Sequence, residues 1–592
     1  MTALFAMVAA DHHAIMDLFD EASRHATLAL NWQNGHCLVG NYCYRGNSRT
    51  QLLSQFSLPQ GNIIANASAP LSNSELSEQF SAEPAAISNA ITGPHTVFTW
   101  HNPHKLLFAS RDPLNQHALY YGKVGGVTVI SSEASFIAKL MPKQPSLNTT
   151  ALSCWLAGQP NPALCLYNEI NTLPLGTSLS VSPHGNVTEH TFWDIDPQNK
   201  LAPASDGTYR DTFLDLLKQC VSSHIHPSDS LVVSQMSGGM DSTSITALAN
   251  ELLTEPRSCR ALSHLYSHSA SCDESDNIKA MYQKLGLVDP IQITVDAGAH
   301  RDFMSLYPTD YDSPGTVLSP RYHQECEIIQ AAGGHRLLTG NGGDEMCWGH
   351  ASAYTERLFK GEFGVIAEVL KACKQTGMAR WPVARSLFVK PMIPQWLLNS
   401  AYALKGYTPS DIPAWLTPEA AKLATDASKI TNPFNERKQP VGYARYQALK
   451  TTSTYNSVRS YQKVGWQYGI DVAHPFFDPR MAEFSFAVPG KQLIRGPYPK
   501  WLLRNAMQNH LPESVCWNVK KVTFDNHFGQ LVKDNAKPLR ELLSDTRLAS
   551  LGLVDNDVLL NAFDAAVGGN GVSVHVDLLY AILTQRWIQQ HH

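Results

Sequence analysis

Seven consecutive residues, Ser237-Gly-Gly-Met-Asp-Ser-Thr243, combine the groups that a polyphosphate needs. Gly238 and Gly239 lack a Cβ, so the backbone there can turn tightly and approach an anion. A helix starting just after them offers unpaired N–H groups and a partial positive charge. Ser237, Ser242 and Thr243 add hydroxyl donors, and Asp241 supplies a hard carboxylate oxygen suited to Mg²⁺. No Lys follows the glycines, so this is not the G-x-x-x-x-G-K-[ST] phosphate loop. A second run, Thr339-Gly-Asn-Gly-Gly-Asp-Glu345, carries Asp344 in another Gly-rich turn. Ligands of open α/β sheets sit beyond the carboxyl ends of strands. Thr339, Gly340, Gly342 and Gly343 therefore join the nucleotide-binding candidates, and Asp241 and Asp344 converge on one metal ion bound to the triphosphate. A third stretch runs from Tyr498-Pro-Lys-Trp-Leu-Leu-Arg504, a helix, to Trp517-Asn-Val-Lys-Lys-Val-Thr-Phe524. On residue type alone, Lys520 and Lys521 there are a solvated pair.

The elements that would carry these loops alternate. Leu231–Met236 reads as a buried strand, and Ile245, Leu248, Ala249 and Leu252 form one helical stripe. Leu262, His264 and Tyr266 alternate as a strand; Ile278, Met281, Tyr282 and Leu285 make a second stripe, stopped by Gly286. Ile291, Ile293 and Val295 alternate again, and a helix ending near Gly333-Gly334 leads into Arg336–Thr339. This order predicts a parallel sheet with right-handed crossovers, and a mainly helical remainder beyond about 350. Residues 1 to 195 instead hold short alternating runs such as Thr96–Trp100 and Val127–Ile130, the pattern of a strand-rich sandwich. Asp194–Gly207 is the expected linker, giving domains of 1–195 and 208–592.

With 592 residues the chain needs more than one hydrophobic core. A net charge of −5 argues against a general nucleic-acid or anionic-membrane surface. The eleven cysteines include no C-x-x-C pair, which fits reduced thiols. The apolar start Met1–Ala10 has no basic residue before it and reads as a buried strand rather than a signal. No run approaches 18 apolar residues, so a cytoplasmic location is expected. The 24 histidines form no H-E-x-x-H or Cys/His zinc spacing, so exposed or packed histidines are a better reading than a metal-catalytic site.

The first loop resembles the S-G-G-x-D-S pyrophosphate-binding signature of PP-loop ATP-utilising enzymes. With Gly340–Glu345, the segment Gly469-Ile-Asp-Val-Ala-His-Pro-Phe-Phe-Asp-Pro-Arg-Met-Ala-Glu-Phe484 and a C-terminal lysine, the order is similar to that of the asparagine synthetase family. Ala109-Ser-Arg-Asp-Pro-Leu114, Leu119-Tyr-Tyr121, Ser131-Ser-Glu-Ala134 and Leu173-Pro-Leu-Gly176 resemble that family's class II glutamine amidotransferase domain. The resemblance implies an α/β protein: an N-terminal Ntn-type αββα sandwich followed by a PP-loop ATP pyrophosphatase domain with helical insertions. It also implies ATP and Mg²⁺, and a lysine that stabilises charge in the transition states. Lys521 is preferred by its spacing to Phe524, and Lys520 by its spacing from Trp517.

Two departures narrow the expectation. Family glutaminases expose an N-terminal Cys after Met1, where this chain has Thr2, and their N-G-E stretch is missing, the nearest text being Asn34-Gly-His36. Asparagine synthetases read G-E-G-S-D-E, where this chain has Asn341 in place of the Glu. Relatives without a working glutaminase include β-lactam synthetases, with Tyr at that position, and lasso peptide cyclases, which favour G-G-D. Pro413-Ala-Trp-Leu-Thr-Pro418 and Lys500-Trp-Leu-Leu-Arg504 also look more like the cyclases. The expectation is a macrolactam synthetase that adenylates a side-chain carboxylate of a precursor peptide, partnered by a leader-peptide protease. Asparagine or β-lactam synthesis, and a catalytically dead scaffold, are the alternatives.

Overall fold

The computed structural model describes residues 3–43, 53–67, 71–254, 258–266, 272–295, 312–393, 397, 412–519, 525–568 and 576–592. In the first domain two six-stranded antiparallel sheets face each other. The apolar start forms the strand Ala3–Val8, buried at every position. Leu4, Ala6 and Val8 pack into the layer between the sheets with Phe98, Trp100 and Leu107, while Phe5 and Met7 point the other way, toward Ile15, Phe136 and Ile137 on helices. A strand covered on both faces has no polar side to present, so it loses the alternation of a half-exposed strand. Leu76, Phe80 and Ile87 cover the second sheet, completing an αββα sandwich. The Asn34-Gly-His36 text is a hairpin turn, in which Asn34 Oδ1 accepts from the backbone N–H of His36 and Cys37.

The second domain holds a parallel sheet of five strands in the order Ile291–Thr294, Ser258–Leu265, Leu231–Gln235, Arg336–Leu338, Asp471–Ala473. Alternate residues of the central strand face opposite helical layers: Val232 packs with Phe213, Ile245 and Leu248, and Val233 with Tyr322, Ile329 and Tyr461. The chain visits one half of this sheet before crossing to the other, so its topological switch point lies between Leu231–Gln235 and Arg336–Leu338. A crevice beyond the strand ends forms there.

The linker predicted at Asp194–Gly207 is bound down along most of its length. Asp194 accepts from Tyr446 Oη at 2.8 Å and pairs with Lys450 at 2.9 Å, and Leu201 N–H donates to Ala487 O. Its last two residues belong to the helix Asp206–Ser223, capped by Ser205. The core also crosses the boundary: Trp155 and Leu156 of the first domain share one cluster with Leu578, Ile582 and Trp587 of the final helix, Val576–His591. No helix among the described residues is long and apolar enough to cross a membrane.

Candidate active site

Ser237–Ser242 leaves the central strand and enters the helix Met240–Leu252. The loop is closed on itself. Ser237 N–H donates to Ser242 Oγ at 3.0 Å, the two hydroxyls lie 2.9 Å apart, and Gly239 N–H donates to Ser237 Oγ. No side chain caps this thirteen-residue helix, which leaves its first N–H groups available to an anion.

The acidic loop descends from the neighbouring strand and touches the first loop backbone to backbone. A Cβ on Gly340 would stand 2.4 Å from Ser242 N, and one on Gly343 would stand 2.3 Å from Asp241 Cγ. Only glycine allows this approach, which brings Asp241 and Asp344 to the same point. Lys500 Nζ lies between them, 2.5 Å from Asp241 Oδ2 and 2.6 Å from Asp344 Oδ1, and 5.4 Å from the ring centroid of Trp348. Burial alone would lower the Lys500 ammonium's pKa, but the two carboxylates outweigh it and push the pKa up. Burial raises Asp241, and Lys500 opposes that shift.

A cavity of about 240 Å³ opens beside Asp241, lined by Ser237, Asp241, Ser242, Glu274, Gly340 and Asn341 among others, while Asp344 and Lys500 stand outside its lining. Glu274 is pushed up to about 7 by burial. Arg321 also lines the cavity, and its Nε donates to Glu325 at 2.6 Å. Glu325 is fully buried and is also held by Gln235 and by Tyr461 Oη.

The sequence candidates therefore separate. Ser237, Gly239, Asp241, Ser242 and Gly340 line the cavity. Gly238, Thr339, Gly342 and Gly343 shape the turns behind it, with Gly342 seated on Phe476 and Phe477. Thr243 is fully buried inside its helix and does not line the cavity. Lys520 and Lys521 lie outside the described residues. Lys500 takes the position between the carboxylates. The Lys500–Arg504 run was visible in sequence, but nothing local showed that its first residue adopts a left-handed backbone (φ 57°) before the helix Trp501–Met507 and returns between two distant loops. Arg321 and Glu325, at i and i+4 on the helix Ser319–Ala331, gave no signal beyond ordinary pairing.

Asp241 and Asp344 suit Mg²⁺: Asp241 Oδ1 is a buried oxygen with no hydrogen-bond partner among the described residues. Among those residues no group of three or more His, Cys, Asp or Glu could hold a metal, so such a cation would draw its other ligands from phosphate and water.

The asparagine synthase family model matches residues 212–589, and a glutamine amidotransferase domain model matches residues 77–193. Amidase chry2 of Gibberella zeae is 20% identical over 80% of this chain and 76% of its own. Glutamine-hydrolysing asparagine synthetase 1 of Bacillus subtilis is 21% identical over 74% of this chain and 68% of its own. Among solved structures, the glutamine phosphoribosylpyrophosphate amidotransferase of B. subtilis in complex with ADP and GMP is similar at 10% identity. It covers 52% of this chain and 94% of its own, with a TM-score of 0.21, too low to add weight. The family model takes in the whole parallel sheet, both loops and Lys500, so the chain belongs to the asparagine synthase family and is an ATP-dependent carbon–nitrogen ligase.

Proposed function

We propose that this ligase closes an amide within a peptide, activating a side-chain carboxylate as its adenylate and joining it to the peptide's α-amine. Asn341 carries the reading: it lines the cavity where asparagine synthetases have Glu, so the anionic group that those enzymes present at this position is absent. Thr2 in place of the glutaminase Cys removes the usual ammonia source and favours an amine brought by the substrate itself.

In this reading ATP lies with its β- and γ-phosphates on Ser237–Ser242 and the open helix N-terminus. A substrate carboxylate oxygen attacks the α-phosphorus, the bond to pyrophosphate breaks, and an acyl-adenylate forms. The amine then attacks the acyl carbon and AMP leaves as the C–O bond breaks. Lys521, or Lys520, offsets charge on the α-phosphate in both steps, as assigned from sequence, and the Lys500 ammonium between Asp241 and Asp344 adds positive charge at the same end of the site. Mg²⁺, held by Asp241 and Asp344, would neutralise the polyphosphate. Holding amine and adenylate in reacting geometry can supply roughly 7–11 kcal/mol of the barrier reduction. A short precursor peptide is the substrate and a leader-peptide protease the partner.

The test is pyrophosphate release with a candidate precursor peptide, together with loss of one water from the peptide mass. Asparagine formed from aspartate plus ammonia or glutamine, with no peptide turnover, would overturn the reading in favour of asparagine synthesis.

A further inference from the structure

One side chain in the interface between the two domains is unusually committed. Gln116 is 2% exposed and belongs to the first domain. Each of its side-chain polar groups is used across the domain boundary. Nε2 donates to Phe477 O at 2.8 Å and approaches His224 Nε2 at 3.5 Å, while Oε1 accepts from His474 N–H at 3.1 Å. The turn presenting it is fixed beforehand. Asp112 accepts from the N–H of Gln116 and of His117, both at 2.8 Å, and Arg111 donates to Asn115 Oδ1.

What Gln116 grips is the strap behind the acidic loop. His474 is fully buried, and its pKa is pushed down to about 3 by burial. Its Nδ1 meets Thr339 Oγ1 at 2.6 Å and Asn341 Nδ2 at 3.5 Å. Thr339 Oγ1 in turn accepts from Asn341 N–H, and Phe476 and Phe477 form the wall against which Gly342 turns. The path from Gln116 to the loop bearing Asp344 is therefore continuous: one amide, one backbone strap, one imidazole and one hydroxyl, all buried.

We infer that Gln116 is a positioning residue, through which the amidotransferase-like domain holds Thr339–Asp344 in the geometry that meets Asp241 and Lys500. This gives that domain a role that needs no nucleophile. The inference rests on the ligase assignment but not on which carboxylate is activated.

The test uses the full chain with Gln116→Met, which keeps side-chain length and removes all three contacts, and Gln116→Glu, which keeps only the acceptor. Amide hydrogen exchange is followed over 336–347 and 474–478. The interface between Thr149–Leu156 and Val576–His591 serves as the reference. The expected result is exchange at least tenfold faster at 336–347 in Gln116→Met, a smaller rise in Gln116→Glu, and no change at the reference interface. Turnover should fall by roughly 10²-fold, as for an ångström-scale misplacement, with the KM for ATP within about threefold because Ser237–Ser242 is untouched. Unchanged exchange at 336–347 in both variants, or an equal rise at the reference interface, would overturn the inference. If the wild-type chain adenylates no peptide, the exchange measurement still decides this question while the proposed substrate fails.

Discussion

Replacing Lys500 with Met removes the cation that lies between Asp241 and Asp344 and leaves Asp241 where burial raises its pKa. The two contacts differ in worth. Asp344's side chain is 62% exposed, so solvent screens its pairing to at most about 1 kcal/mol. Asp241's side chain is 23% exposed and Lys500's 7%, so that pair is close to a buried one, whose disruption costs about 3–5 kcal/mol. The lower end applies, because Asp241 can take a proton instead of remaining a bare buried anion. The sign follows: with Lys500 gone, Asp241's folded pKa stands further above its unfolded value. The variant is then most stable at low pH and loses stability as pH rises through that folded pKa. Lys500→Met should therefore melt below wild type at pH 8 and regain much of the deficit at pH 5. Asp241→Asn combined with Lys500→Met should remove that pH dependence. Turnover should fall by about 10²–10³, as for loss of one preorganised charge-stabilising donor. Thermal melts from pH 5 to 8 and pyrophosphate release measure both effects. A variant that turns over within threefold of wild type, or whose melting deficit ignores pH, would refute the reasoning.

Three further outcomes are expected. Gly340→Ala places a methyl 2.4 Å from Ser242 N, so the two loops must part; a stability loss of about 1–3 kcal/mol with near-complete loss of pyrophosphate release is expected, read by melts and turnover. Glu274, pushed up to about 7, gains charge beside the phosphate loop as pH rises through neutrality; affinity for ATP should fall from pH 6 to 8, and Glu274→Gln should flatten that profile in calorimetric titrations. Asp241→Asn removes half of the carboxylate pair, so the Mg²⁺ concentration for half-maximal turnover should rise at least tenfold; unchanged turnover at low Mg²⁺ would sink the metal assignment.

Much of the architecture was open to reading because periodicity is local. Gly286 ends the helix Ser275–Leu285 with a left-handed residue, and the alternation of Ile291 and Ile293 marks the edge strand. The loops were legible for the same reason, since a strand, two glycines and a helix start lie within a dozen residues. The helix expected over Tyr498–Arg504 starts only at Trp501, because Tyr498 and Pro499 pair as a short strand with Ile494 and Arg495.

By itself the sequence determined the order of strands and helices, the two loops bearing Asp241 and Asp344, and the resemblance to a family. Those properties depend on neighbours in the chain. Tertiary structure alone decided that Lys500 is the cation between the carboxylates, that Arg321 lines the cavity while paired to the buried Glu325, and that Gln116 braces the acidic loop from another domain. These contacts join residues more than 200 positions apart in two of the three cases, and the pair of the third reaches the cavity only through the sheet it packs on. Their cause is the crossing at the switch point, which brings distant loops within a few ångströms in a buried crevice where an unpaired charge or amide is costly.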